Sequence, residues 1–270
     1  MNGPLRYPAV AGQFYPLNPE TLKSELRTYL HTTEAALPAL ACMVPHAGFI
    51  YSGRVAGSVF SKLKVPRRLI ILCPNHTGVG RPLAIMSHGA WETPLGRIPI
   101  DVELAEALKR RFPLLDEDST AHRAEHAIEV ELPFIQSLTN QVSFVPIALG
   151  TGNLEQLVQL GDAVADVVSF STSPVLIIAS SDMNHYENDA ITRIKDQKAI
   201  EKILALDPRG LHETVVKEEI SMCGFGPAVV MVTAAKKLGA TRAELVKYAT
   251  SADTSGDRDT VVGYAGIIVR

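Results

Sequence analysis

Three short runs of the chain are apolar at every position: residues 40–44, 69–72 and 174–179. Continuous runs of this length, bounded by Pro, Arg and Ser, suit strands buried on both faces of a parallel sheet. Residues 142–149 form a fourth run, interrupted at Pro146, and residues 83–86 a short fifth. Between the runs the apolar period lengthens. Leu22, Leu26, Tyr29 and Leu30 share one helical face, behind an Asn18-Pro19 pair that suits a cap and a first helical position. Helical spacing recurs over residues 53–63, 101–112, 125–138, 153–168, 189–206, 208–217 and 227–238, with Asp101 and Asn153 as caps. Residues 91–99 and 116–120 read as loops. Two β-like runs, 245–250 and 260–269, close the chain around a polar turn at 251–259.

Strands alternating with helices predict an α/β fold, a single three-layer domain whose mostly parallel or mixed central sheet carries helices on both faces. The chain has 270 residues, 46% of them hydrophobic, enough for a substantial core. It shows no repeat, low-complexity segment or Pro- or Ser-rich linker, so residues 1–270 read as one domain.

The three strongest strands run into loops of one kind. The first is followed by Pro45-His46, the second by Asn75-His76, the third by Asp182 and His185. If the strands are parallel, these loops share the edge at which open α/β sheets bind ligands. Imidazole and carboxylate are ligands for iron, zinc or copper. The competing reading has each histidine bonded to a nearby backbone carbonyl. Gly48 and Gly53 let the chain turn after His46. Cys223 lies just before a helical segment, where the dipole favours a thiolate, so it reads as a metal ligand, a reactive thiol or a small buried side chain. Cys42 and Cys73, within or at the end of apolar strands, read as buried.

His122-Arg123-Ala124-Glu125-His126 matches H-x-x-E-H, in which two histidines on one helical face bind zinc beside a general base. The same residues admit two other readings. Glu125, His126 and Glu129 line a site, or the acidic residues sit in a solvated first turn of a helix. Tyr15, Phe49, Tyr51 and Tyr186 are candidates for walling a pocket or for packing.

The formal net charge is −3, with both signs scattered and no basic stripe. That gives no support to a nucleic-acid or a membrane partner. No P-loop, G-x-G-x-x-G or G-x-S-x-G pattern occurs. The three cysteines are far apart and form no disulfide framework. The first six residues lack a signal-peptide core, and no apolar run approaches the ~20 residues of a membrane span. A cytoplasmic location is expected.

Five ordered motifs then carry a resemblance. They are Pro45-His46-Ala47-Gly48-Phe49-Ile50-Tyr51-Ser52-Gly53, Pro74-Asn75-His76, Glu125-His126-Ala127-Ile128-Glu129, Ser180-Ser181-Asp182-Met183-Asn184-His185 and Cys223-Gly224-Phe225-Gly226-Pro227. With the Pro8-to-Pro16 arm, they resemble the Memo family, whose prokaryotic members are called AmmeMemoRadiSam system protein B, across nearly the whole chain. The resemblance implies a fold similar to the class III extradiol ring-cleaving dioxygenases, which use non-haem iron. It implies His46, His76 and Cys223 as metal ligands, with Fe(II) or copper bound and zinc a further candidate. Asp182 and His185 become acid–base or ligand-orienting groups, and Phe49, Tyr51, Glu125 and His126 line the pocket. Cysteine stands where those dioxygenases use a carboxylate, a departure toward softer ions such as Cu(I) and away from ring cleavage. The implied function is a metal-binding protein with a dioxygenase-like site, a redox enzyme on a small-molecule or protein substrate. The alternative is a non-catalytic adaptor taking a phosphopeptide or another anionic ligand in the same pocket. The family's association implies a radical SAM protein and a small companion protein as partners.

Overall fold

The structure is a computed structural model and describes residues 3–31, 35–139 and 141–270. Met1 and Asn2, part of the stretch read above for a signal peptide, lie outside the described residues. In chain order the strands are β1 (Leu5–Arg6), β2 (Ala41–Val44), β3 (Arg68–Pro74), β4 (Leu83–Ile85), β5 (Ala90–Thr93), β6 (Gly96–Pro99), β7 (Asp116–Glu117), β8 (Ser143–Leu149), β9 (Val175–Ser180), β10 (His185–Glu187), β11 (Ala243–Thr250) and β12 (Val261–Val269). The helices are α1 (Pro19–Tyr29), α2 (Phe49–Lys62), α3 (Val102–Arg111), α4 (Thr120–Arg123), α5 (Leu132–Leu138), α6 (Leu154–Ser169), α7 (Asp189–Leu204), α8 (Pro208–Lys217), α9 (Phe225–Lys237) and α10 (Ala252–Ser255).

The strands predicted from continuous apolar runs form the centre of the sheet. β2, β9, β3 and β8 lie side by side and parallel, with Val44 opposite Ser180, Leu72 opposite Ala179 and Pro74 opposite Leu149. Antiparallel β12 flanks β2 and antiparallel β4 flanks β8, so the large sheet is mixed. β11 pairs with β12, and β1, β5 and β6 make a separate small sheet. Successive side chains on a strand point to opposite faces, so a run that is apolar throughout fills two cores. Met43, Ile70, Leu72 and Ile177 pack into one core with residues of α3, α6, α7, α8 and α9. Cys42, Val44, Leu69, Ile71 and Ile178 pack into the other, with α1, α2, α5 and the small sheet's Trp91 and Ile98. Helices therefore cover both faces, as the alternation predicts.

Several segments differ from their sequence reading. α2 begins at Phe49, four residues before the predicted start at 53, with Gly48 at its N-cap, so the helix follows almost directly on His46. Residues 91–99 form the β5–β6 hairpin instead of a loop, turning at Gly96, whose φ of 118° only glycine adopts readily. Residues 116–120 hold β7, paired with β4, and the start of α4. Pro146 does not interrupt β8, because on that side β4 pairs only with Ile147, Ala148 and Leu149. The predicted helix 125–138 reduces to α5, which opens with Pro133 in its first turn. Residues 124–131 are neither helix nor strand. No helix among the described residues is long and apolar enough to cross a membrane.

Candidate metal centre

Because β2, β3 and β9 are parallel, their C-terminal loops meet at one edge of the sheet. Two bonds stitch the first and third loops together. Ser181 N donates to Val44 O at 2.9 Å, and His46 N donates to the Asp182 carboxylate at 2.8 Å. His46 is buried, and its Nδ1 lies 2.7 Å from Ser180 Oγ. The Ser180 hydroxyl donates to Ala127 O at 2.9 Å, so its oxygen is left to accept from His46 Nδ1–H. This hydrogen-bond accounting assigns the Nδ1–H tautomer and presents Nε2 as a free lone pair, 3.4 Å from Cys223 Sγ.

His76 is fixed by the same logic. Its Nδ1 lies 2.9 Å from Glu125 Oε1, and its backbone N donates to Oε2 at 2.6 Å. An ionised carboxylate only accepts, so Nδ1 carries the proton and Nε2 is free. Glu125 also accepts from Ala127 N at 3.0 Å, and its side chain is wholly buried. A histidine whose far nitrogen donates to a carboxylate is the usual form of a metal-ligating imidazole.

Cys223 arrives from the turn before α9. Asp182 N donates to its Sγ at 3.3 Å. Gly224 permits this approach, since a Cβ there would lie 2.3 Å from Ser180 O. The ligand atoms of His46, His76 and Cys223 all fall within 4.8 Å of one another. His76, Glu125 and His126 also fall within 4.8 Å, but both Glu125 oxygens are already engaged in holding His76.

Burial sets the protonation states. It pushes the His46 pKa well down, helped by the neighbouring His76, His126 and His185, so this ring is neutral. Burial also opposes a charge on His76, yet the Glu125 bond holds its pKa above the ordinary value. The Cys223 thiol is pushed well up by burial and then by the Asp182 charge. Asp182, buried and only partly compensated by the His46 and Ala47 amides, is raised to about 6.

The other sequence candidates are placed as follows. His126 stacks on His76, with ring centroids 4.8 Å apart, and meets His46 edge-on at 5.5 Å. His185 is held by the Ser221 carbonyl at 2.8 Å through Nδ1. Its ring lies 5.5 Å from that of Tyr186, a residue at φ 63° in a bulge of β10. Tyr51 is exposed. Phe49 is buried in an aromatic cluster with Tyr15, Tyr29 and Phe134, and Tyr15 donates to Glu129 at 2.6 Å. Cys42 and Cys73 are wholly buried.

The H-x-x-E-H pair does not form a helical zinc face, because α4 ends at Arg123 and residues 124–131 leave the helix. His122 is wholly buried against Trp91, neither ring nitrogen has a hydrogen-bond partner among the described residues, and burial lowers its pKa to about 4. Ser180 and Arg6 were not singled out by sequence reasoning. Ser180 had one signal available, its place two residues before Asp182 at a strand end. Arg6 had none.

A family model described as Memo-like protein matches residues 6–268. The chain belongs to the Memo family. A MEMO1 family protein of Methanosarcina barkeri is 46% identical over 267 residues, covering 98% of this chain and all of that one. A MEMO1 family protein of Methanopyrus kandleri is 42% identical over 279 residues, covering 98% and 99%. Family membership thus agrees with the motif resemblance. Among solved structures, an uncharacterized protein of Escherichia coli K12, JW3007, shares the fold at TM-score 0.51 and 10% identity, covering 83% of this chain and 98% of its own.

Proposed function

We propose that His46, His76 and Cys223 hold one transition-metal ion, and that this centre serves a redox reaction on a small-molecule or protein substrate. The observation that carries the proposal is the convergence of two imidazoles and a thiol within 4.8 Å, each imidazole already pinned through its Nδ1–H. Two imidazoles and a thiolate suit iron, copper or zinc, and three protein ligands leave positions open to a substrate. An ion held there would supply Lewis acidity and, if iron or copper, one-electron chemistry. The dioxygenase-like fold implied by the motifs belongs to the same proposal.

The chain's own residues have definite tasks in this reading. Cys223 must lose its proton before it acts as a donor, so loading releases a proton and strengthens with rising pH. Asp182, with a pKa raised to about 6, is poised to hold or release a proton near neutrality. Glu125 keeps the His76 ring in one tautomer and one orientation.

In the adaptor alternative the histidines themselves contact the anionic ligand. The charges acting most strongly on His46, His76, Asp182 and Cys223 are those of histidines and carboxylates, with no Lys or Arg among them. Nearby Arg6 is buried and engaged with Glu129. The Glu125 and Asp182 carboxylates beside His76 oppose a phosphate there. Metal analysis of anaerobically purified protein tests this. Wild type should carry metal, and a His46→Ala, Cys223→Ser double variant should lose it. A double variant with full stoichiometric metal would sink the reading. Oxygen uptake against a catechol panel, with metal restored, separates enzyme from adaptor. Tight phosphopeptide binding without metal or turnover would favour the adaptor.

A further inference from the structure

One buried ion pair ties the N-terminal arm to both histidine loops. The Arg6 guanidinium meets the Glu129 carboxylate, Nη1 to Oε2, at 4% and 0% side-chain exposure. That carboxylate accepts three more bonds from the arm, from Ala9 N at 2.8 Å, Val10 N at 3.0 Å and the Tyr15 hydroxyl at 2.6 Å. The remaining guanidinium nitrogens point along the chain of residues 122–125. Nη2 donates to Glu125 O at 2.6 Å and Nε to His122 O at 3.1 Å, while the guanidinium lies 4.4 Å from the centre of the Trp91 ring. Glu125 is the residue whose carboxylate grips His76.

The other end of the arm reaches the His46 loop. Phe14 O accepts from Phe49 N at 2.8 Å, three residues past His46, and the Phe14 ring sits edge-on to His126 at 4.9 Å. Residues 124–131 belong to no helix or strand. With no regular ladder through this segment, the backbone of Glu125 depends on such side-chain clamps. A guanidinium can address a carboxylate and two carbonyls at once through its planar fork, which an ammonium cannot copy.

We infer that Arg6 and Glu129 are positioning residues for the metal donors. The pair straps the arm across residues 122–129 and, acting through Glu125, holds His76 with Nε2 toward Cys223. The inference rests on the metal-centre reading. Outer partners of metal-binding histidines typically govern affinity by about 10–100-fold.

The test uses the full-length chain and three graded variants, Arg6→Lys, Glu129→Gln and Tyr15→Phe. Co(II) is titrated while the thiolate-to-cobalt absorption is followed. Histidine tautomers are read in the metal-free protein by ¹⁵N NMR, and thermal unfolding is recorded alongside. Arg6→Lys and Glu129→Gln should weaken cobalt binding about 10–100-fold, and Tyr15→Phe less. His76 should change from a pure Nδ1–H form to a tautomer mixture while His46 stays unchanged. A merely structural role would lower the unfolding temperature and leave both cobalt affinity and the His76 tautomer alone; that result in folded variants overturns the inference. If the first two variants fail to fold, Tyr15→Phe decides by the same readouts. If wild type binds no cobalt at the three donors, the metal reading falls, and the metal-free His76 tautomer still decides the strap.

Discussion

The two ends of the parallel strands hold opposite kinds of polar chemistry. At the N-terminal ends lies a cleft of about 1010 Å³, lined by Arg68, Arg97, Asp101, Gln136, Ser143 and Thr172 among others. Its central charges, Arg68 and Asp101, are spent on one another. Arg68 donates to both Asp101 oxygens at 2.7 and 2.8 Å, Asp101 also caps α3 through Leu104 N and accepts from Ser143, and Arg97 pairs with Glu92. At the C-terminal ends, His46 and His76 are each held through Nδ1, and His46 Nε2 faces the Cys223 thiol at 3.4 Å. Volume marks the first edge and spare bonding capacity marks the second. The contrast teaches that a hollow whose polar groups are mutually satisfied is a weaker functional candidate than a tighter cluster with donors left over.

The sharpest way to break this comparison is one substitution at each edge. Gly224→Ala would set a Cβ 2.3 Å from Ser180 O and 2.4 Å from Ser181 Cβ, so the Cys223 turn must move off β9. We expect metal affinity to fall about 100-fold, the upper end for a displaced ligand environment, with an overpacking cost of about 1–3 kcal/mol. Arg68→Ala removes charged hydrogen bonds to Asp101 and should cost about 1–3 kcal/mol of stability, with metal affinity unchanged. Cobalt titration and urea unfolding of both variants give the answer. Equal loss of metal affinity at the two edges would abolish the distinction.

A smaller effect is expected at Glu125→Gln. The side chain keeps its shape, but an amide cannot accept from both the His76 amide and Nδ1–H through separate oxygens. Affinity should drop about tenfold. The pH profile carries the diagnostic sign. In wild type, burial opposes a charge on His76 and Glu125 more than restores it, so protons compete with metal from above the ordinary histidine value. Without the Glu125 charge, burial is opposed only in part by the Asp182 carboxylate, and that competition should move to lower pH. An unshifted profile would mean that Glu125 does not govern this ring.

The sequence made the strong strands legible because their runs are apolar at every position, and a strand buried on both faces needs that. Their parallel order made the His46, His76 and Asp182–His185 edge legible in turn. Cys223 was different. It is 177 positions from His46 and meets it only through the fold, so motif resemblance supplied that pairing. Residues 125–131 misled for a physical reason. Ala127, Ile128, Val130 and Leu132 are buried and imitate helical spacing, while Glu125, Glu129 and Glu131, which look like a solvated helix face, are wholly buried. Pattern reading assigns carboxylates to solvent, and here two of them are hydrogen-bond hubs. Phe49, the first residue of α2, packs in the aromatic cluster.

The two edges also titrate with opposite sign. Asp196, wholly buried beneath the Asp182–His185 loop, accepts from Asn184 N at 2.8 Å and the Tyr248 hydroxyl at 2.7 Å. Burial outweighs those bonds and raises its pKa from 3.8 to about 7. A carboxyl whose folded pKa is raised stabilises the native state below its unfolded value and loses that contribution as pH rises through the folded value. Stability should therefore fall between about pH 4 and pH 7, by at most about 1.4 kcal/mol per pH unit from this group. Asp101, at the other edge, has the reverse sign. Burial would raise its pKa, but the Arg68 bond and the α3 amide hold it below the usual range, so its contribution is lost only as pH falls. Asp196→Asn cannot ionise and should flatten the decline toward pH 7, while Arg68→Ala should leave that decline intact and weaken the acid limb. Urea midpoints at about pH 2.5, 4, 5.5 and 7 measure both slopes, the lowest pair reading the Asp101 limb. Parallel profiles for wild type and Asp196→Asn would show Asp196 ionised throughout, and the C-terminal edge would then be as well compensated as the other.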